Sequence, residues 1–569
     1  MKASDYIADV LHAKGVPLVF EMIGGMITHI IDSIEQKGRI KIISMHHEQA
    51  AGFAAEATGR MSGIPGVALA TSGPGATNLV TAIGSCFFDS VPTVFITGQV
   101  NTTELSGDKT IRQQGFQETD IVSIVKPITK AAWLVRTAEE LPFILDEAFR
   151  IACDGRPGPV LIDIPMDVQR MEVKPVESNS VKKTKAVCDD ICDFAERVLD
   201  ALAAAERPLL ISGGGIRSAG VAAQFREMAE LLNIPMIYSL MGLDVLPSGH
   251  PLRVGMFGTY GNRWANQAVM ESDFLLVTGS RLDVRQTGAD VDGFKGNRRI
   301  FHVDCEPGQL NNRVTGCDVC VAGLSDFIDA MLSVAADEQR CKWEAWEAWI
   351  AGKKRLAPDT AELKGCKGIN PNLFIHELSV ASAKASAILA DVGKNQMWVA
   401  QSVELHEGQR FLVSGGMGSM GFALPAAIGA ALSSGKPVVM VAGDGGMQCN
   451  IQELETIFLH KIPVKMVVFN NNSLGMVGQF QEEYFESRMR STIWGYSAPD
   501  FEGIANAYRI PAKTIRCPEE VAAAVRWLWS NPDAPALLNV MIDVDTKVFP
   551  KTTFGKPLNE MEPYLDQVR

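Results

Sequence analysis

The chain has 569 residues, of which 47% are hydrophobic and 21% charged, and its formal net charge is −13. That length exceeds one hydrophobic core and implies about three or four domains. The acidity argues against a nucleic-acid partner, which needs a basic face, and no apolar run reaches the roughly 18 residues of a membrane span.

The opening MKASDYIADVLHAKGV reads as an amphipathic helix without the apolar centre of a signal peptide, so a cytoplasmic location is expected. A first segment, residues 1–180, sets short β-rich runs (VPLVFEM, IKIISM, GVALATSG, TVFITG, PVLIDIP) between amphipathic stretches. A polar linker, VESNSVKKTKAVCDD, follows. The second segment, residues 190–345, carries RPLLISGGG, DFLLVTGSR and RRIFHVD, and Lys342 to Ala357 reads as an amphipathic helix with tryptophans at 343, 346 and 349. PDTAELKGCKGINP is expected as a second linker. The third segment, residues 368–545, holds SAILADVG, RFLVSGG, KPVVMVAGD, VKMVVFNN and ALLNVMID, and residues 546–569 are expected as a tail. Strands alternating with helices predict an α/β class of three doubly wound parallel-sheet domains. Cys317 and Cys320 form a lone CxxC and are expected as buried thiols.

Two adjacent runs carry chemistry. One ends in Gly443-Asp444-Gly445 and the next in Asn470-Asn471-Asn472, which places a carboxylate and a carboxamide 27 residues apart at two strand ends. The intervening NIQELETIFLH suits the crossover helix between neighbouring parallel strands. Ligands sit beyond such ends, and these oxygen donors favour a hard cation such as Mg2+ or Ca2+ completed by phosphate oxygens. The rival is a dinucleotide site at Gly416-Met-Gly418-Ser-Met-Gly421, a GxGxxG match that gives Asn471 no role.

GDG followed by NN resembles the signature of thiamine-diphosphate (ThDP) enzymes. The resemblance spans nearly the whole chain and is closest to the acetolactate synthase group, through MHHEQAAGFAAEATGR, TSGPGATNL, GFQETDIVSIVKPITK, GRPGPVLIDIP, SGGMGSMGFALPAAIGA and NNNSLGMV. It implies that Asp444, Asn471 and the Ser473 carbonyl hold Mg2+, and that Glu48 activates the aminopyrimidine of ThDP. Gly418 and Met420 would shape the cofactor, with Gly445, Gly446, Met447, Gly475 and Met476 beside it. Pro74, Asn78, Phe116 and the catalytic candidate Gln117 would lie near the reacting end. Sites between subunits, and so a homodimer or homotetramer, are implied as well.

The central segment is similar to the FAD-binding domain of the same group. The resemblance implies FAD contacts from Arg156, Gly213, Gly214, Gly215, Ser239, Leu240, Gly279, Arg281, Asp283, Arg285, Asp304 and Cys305, with a largely structural flavin. Departures lie near the acceptor, where Met166 replaces the group's usual lysine and Phe480 a tryptophan, and beside the diphosphate, where Lys394-Asn395 replace a Gln-His pair. These changes point to a carboligase with pyruvate as donor and a ketone larger than a second 2-keto acid as acceptor, such as a nucleotide-linked ketosugar. The alternatives are a biosynthetic acetolactate synthase and a flavin-dependent pyruvate oxidase.

Overall fold

A computed structural model describes residues 1–174, 189–335 and 343–565. The expected linker at Val176–Asp190 lies almost wholly outside the described residues. Three six-stranded sheets form, every strand pair in them parallel, as the alternating runs predict. Numbering strands within each domain, the first and third sheets share the order 2-1-3-4-6-5, although the sequence shows no repeat. The middle sheet reads 3-2-1-4-5-6, the order of dinucleotide-binding domains. The dinucleotide geometry therefore belongs to the middle domain and not to the GxGxxG of the third.

The first and third domains share one core. Helix Glu48–Ser62 of the first packs on helix Ala423–Ser434 of the third, and Phe53 meets Phe422 edge-on at 5.4 Å. A Cβ on Gly429 would overlap the Ala54 carbonyl, so only glycine permits this approach.

The middle domain keeps its own core, which Trp343, Trp346 and Ile350 join. The ring N–H of Trp346 donates to Pro208 O at 3.0 Å. Helix Glu344–Leu356 therefore belongs to this domain, whose core runs past residue 345. The second linker is not wholly irregular either, since Asp359–Glu362 forms a short helix. Its Glu362 is held by buried Arg263 at 2.7 and 2.8 Å, and Arg263 also donates to Met561 O and Pro563 O. That guanidinium fastens both linker and tail to the middle domain. Among the described residues, no helix is long and apolar enough to cross a membrane.

Candidate active site

Strands Val438–Gly443 and Val464–Asn470 are parallel neighbours, with Gly443 opposite Phe469. Asp444 and Asn471 emerge side by side at their carboxyl edge. Asp444 Oδ2 and Asn471 Oδ1 both accept from the Ser473 N–H, at 3.0 and 3.2 Å. Asn472, with a φ of 49°, supplies the turn that brings Ser473 back to them. Asp444 Oδ1 accepts from Gly445 N–H at 2.9 Å. All three expected metal residues are buried. Burial pushes the Asp444 carboxyl up to about 6, despite the Gly445 and Ser473 amides and the Tyr496 hydroxyl that hold it. A cation would offset that burial cost.

Among the described residues, no cluster of three or more His, Cys, Asp or Glu side chains offers a metal cage. One carboxylate, one carboxamide and the Ser473 carbonyl instead suit a hard ion completed by phosphate and water. The glycines around them are tight. A Cβ on Gly445 would overlap Leu474 and lie 3.1 Å from Met420 Cε, and one on Gly446 would overlap Asp391. Met420 thus stands over the Asp444 turn. Met447 does not line it as expected: its side chain is buried in the shared core, which leaves only backbone to face a ligand. Gly418 sits in a left-handed turn, φ 68°, with open space around it. Gly475 packs against Asn471 and Lys394.

A second group forms in the first domain. Glu48 opens helix Glu48–Ser62, which His47 caps by accepting from Gln49 N–H at 3.1 Å. Asn78, on the short helix Pro74–Asn78, donates to Glu48 Oε2 at 2.9 Å. Gln117 lies against Gly73, where a Cβ would stand 3.0 Å from its own. Glu48, Pro74, Asn78 and Gln117 are therefore brought together. Phe116 is 80% exposed, and Met166 is half-buried where strand Pro159–Pro165 passes into helix Met166–Arg170.

The third feature is a cavity of about 1370 Å³, open solvent at its mouth included, at the middle domain. Arg156, Gly214, Gly215, Ser239, Leu240, Gly279, Arg281, Asp283, Arg285, Asp304 and Cys305 line it. Gly213 is set back from it, packed on Gly279. Asp89 of the first domain and Gly415-Gly416 of the third close the cavity, and Asp89 accepts from both glycine amides at 2.9 and 2.6 Å. A groove of about 1120 Å³ adjoins it, sharing Thr259, Tyr260 and Arg285. Met476, expected at the cofactor, lines this groove with Phe480, Tyr484 and Phe554.

Three family profiles cover these same regions. They are the thiamine pyrophosphate enzyme N-terminal TPP binding domain over residues 1–124, the central domain over 195–331, and the C-terminal TPP binding domain over 391–540. Similar proteins match almost end to end. The acetolactate synthase isozyme 1 large subunit of Escherichia coli is 36% identical, covering 98% of this chain and 97% of its own. The acetolactate synthase large subunit of Lactococcus lactis is 35% identical, over 98% and 95%. A probable acetolactate synthase large subunit of Methanocaldococcus jannaschii is 36% identical, over 95% and 92%. The chain belongs to the thiamine pyrophosphate enzyme family.

As an acetolactate synthase-like ThDP enzyme, it forms carbon–carbon bonds. Further residues stand around this ThDP enzyme's site, and one of them, Tyr496, carries no local sequence signal. Tyr496 reaches Asp444 and Gln448 from a loop. Lys394 is buried, its ammonium lowered to about 8 by that burial, and it donates to Thr546 O at 2.7 Å. Asp391 stands at the end of the run SAILAD, where a strand-end carboxylate was legible. It accepts from Gly421 and Ala423 amides at 3.0 and 2.8 Å and so shapes the turn that carries Gly418 and Met420.

Proposed function

We propose that this ThDP enzyme binds Mg2+ and FAD, takes pyruvate as donor, and joins its two-carbon remainder to the carbonyl carbon of a second 2-keto acid. Arg285 carries this reading. Its exposed guanidinium makes no hydrogen bond or ion pair among the described residues and lines both the central cavity and the Phe480 groove. A fork of donors at that junction suits an acceptor carboxylate. The acetolactate synthases to which the chain is similar end to end support the same reading, which comes ahead of the larger-ketone expectation.

Asp444, Asn471 and the Ser473 carbonyl would hold Mg2+, and the backbone at Gly445 and Gly446 would face the diphosphate. When bound, ThDP supplies a nucleophilic carbon and a sink for the electron pair that CO2 leaves behind. Glu48, whose Oε2 accepts from Asn78, would move a proton to and from the cofactor through its other oxygen, Oε1. Bond making balances simply: the C1–C2 bond of pyruvate breaks and releases CO2, one carbon–carbon bond forms to the acceptor carbonyl carbon, and one proton taken up from solvent ends on the new hydroxyl. FAD would occupy the central cavity, supported by the dinucleotide strand order and its glycine-lined wall. The resemblance implies sites between the first domain of one subunit and the third of another, and so at least a dimer, which light scattering would test.

A larger ketone acceptor is the second reading. Met166 offers no cation for a carboxylate, and Phe480, 53% exposed, opens onto a roomy groove. One experiment separates the two. Enzyme, ThDP, Mg2+ and pyruvate are incubated alone and with a panel of ketones that includes nucleotide ketosugars, and products are read by mass spectrometry. Rapid acetolactate from pyruvate alone supports the first reading. Acetyl transfer to a ketone, with little acetolactate, supports the second. Rapid oxygen consumption with flavin bleaching would replace both with an oxidase, and purified protein without a flavin spectrum would remove FAD.

A further inference from the structure

Glu453 lies on helix Glu453–His460, between the two metal-bearing strands, and is fully buried. Its carboxylate points across the domain boundary. Oε1 and Oε2 accept from the His46 N–H at 3.0 and 3.3 Å, and the His47 N–H is held by the same group. Thr456 Oγ1 donates to Oε2 at 2.8 Å and also stands 3.0 Å from His46 Nδ1. No lysine or arginine pairs with Glu453 among the described residues, so these donors are what its burial serves.

Asn450, three residues earlier, donates to Gln49 Oε1 at 3.2 Å and to Gly421 O at 2.7 Å. Residues 46, 47 and 49 are thus gripped by the segment directly after the metal motif, and residue 48 lies between them. Domain cohesion does not explain this grip, because Gly429 on Ala54 and Phe53 on Phe422 already join the two domains further along the helix.

We infer that Glu453 is a positioning residue for Glu48, fixing the backbone on which the Glu48 carboxylate stands and so its aim. The inference rests on the reading of Glu48 as the acid–base group of the ThDP site. A buried carboxylate presents two acceptors to two amides and a hydroxyl, whereas an amide in its place turns donors toward donors. A small misplacement of an acid–base group is costly to the reaction.

The test uses the holoenzyme and compares Glu453→Gln, Thr456→Val and Glu48→Gln. Hydrogen–deuterium exchange at the thiazolium C2 of bound ThDP is followed by acid quench and NMR, beside kcat, KM for pyruvate and melting temperature. Glu453→Gln is expected to slow both exchange and kcat by about 10- to 100-fold. KM should stay within about twofold of wild type, with the melting temperature little changed. Thr456→Val should move both rates the same way by a few-fold, and it carries the test if Glu453→Gln does not fold. Unchanged exchange in Glu453→Gln beside slow exchange in Glu48→Gln overturns the inference alone. A rate loss that merely tracks a lower melting temperature also overturns it. Unchanged exchange in Glu48→Gln overturns the underlying reading of Glu48 as well.

Discussion

Asn78 Nδ2 donates to Glu48 Oε2 at 2.9 Å, while Glu48 Oε1 stands 3.2 Å from where a Cβ on Gly75 would sit. One oxygen is committed and the other faces a notch that only a glycine leaves open. A carboxyl held this way has a fixed direction and one face free to exchange a proton. Glu48→Gln keeps the volume and removes the exchangeable proton. Turnover with pyruvate should fall by about 10²- to 10⁴-fold, with the melting temperature unchanged. Steady-state kinetics beside a melting curve checks this, and retained turnover would take Glu48 out of the mechanism.

Metal and cofactor binding should be linked through Asp444. In the metal-free protein its buried carboxyl is held above the usual carboxylate range, so the site is costly until a cation arrives. Chelation of Mg2+ should release ThDP and leave the proposed FAD site unaffected, because the central cavity is lined by other residues. Indirect changes around metals already cost 10- to 100-fold in affinity, so Asp444→Asn should weaken ThDP binding by about 100-fold or more. The metal-free variant should melt no lower than the metal-free parent. Titration calorimetry with and without Mg2+ measures the first effect and differential scanning calorimetry the second.

Gly429→Ala tests the joint between the first and third domains. The added methyl would overlap the Ala54 carbonyl in the helix that Glu48 opens, and backbone cannot swing aside as a side chain can. Overpacking of this kind costs about 1–3 kcal/mol. The first calorimetric transition should move down, and the rate should fall with it because the Glu48 helix is displaced. A variant with parental melting and turnover would show that the two helices separate easily.

The proposed metal motif was legible as geometry because each strand and the side chain at its end are contiguous in sequence: the apolar run says strand, and Gly443-Asp444-Gly445 says where it ends. Parallel pairing then brings Asp444 beside Asn471 without further information. What the sequence hides is direction. Met447 and Met476 lie in matched motifs, yet nothing local says that one side chain enters the core and the other a groove. Tyr496 reaches the site from a loop whose path depends on the packed whole. The shared strand order of the first and third sheets is hidden for a related reason, since many sequences satisfy one topology. Gly429 looked like one more small residue in an apolar helix, and its importance exists only once Ala54 lies across it.

Asp163 supplies a pH-dependent prediction. It is buried within strand Pro159–Pro165 and accepts from Thr97 Oγ1 at 2.7 Å and Gln99 Nε2 at 2.9 Å. Gln99 Nε2 donates also to Thr119 O at 2.8 Å, two residues beyond Gln117. Burial, with a smaller contribution from Asp120, pushes its carboxyl up to about 7, while the two hydrogen bonds pull the other way. An unfolded aspartate titrates near 3.9. Between about pH 4 and 7 the folded state therefore binds the extra proton, and stability falls as pH rises through that window. The loss is absent below about 4 and complete above about 7. Asp163→Asn cannot ionise, so its melting temperature relative to wild type should climb from pH 5 to about pH 7 and level off by pH 8, whatever constant offset its altered bond to Gln99 imposes. Melting curves across that range measure the climb, and a flat difference would mean that Asp163 keeps an ordinary titration in the fold.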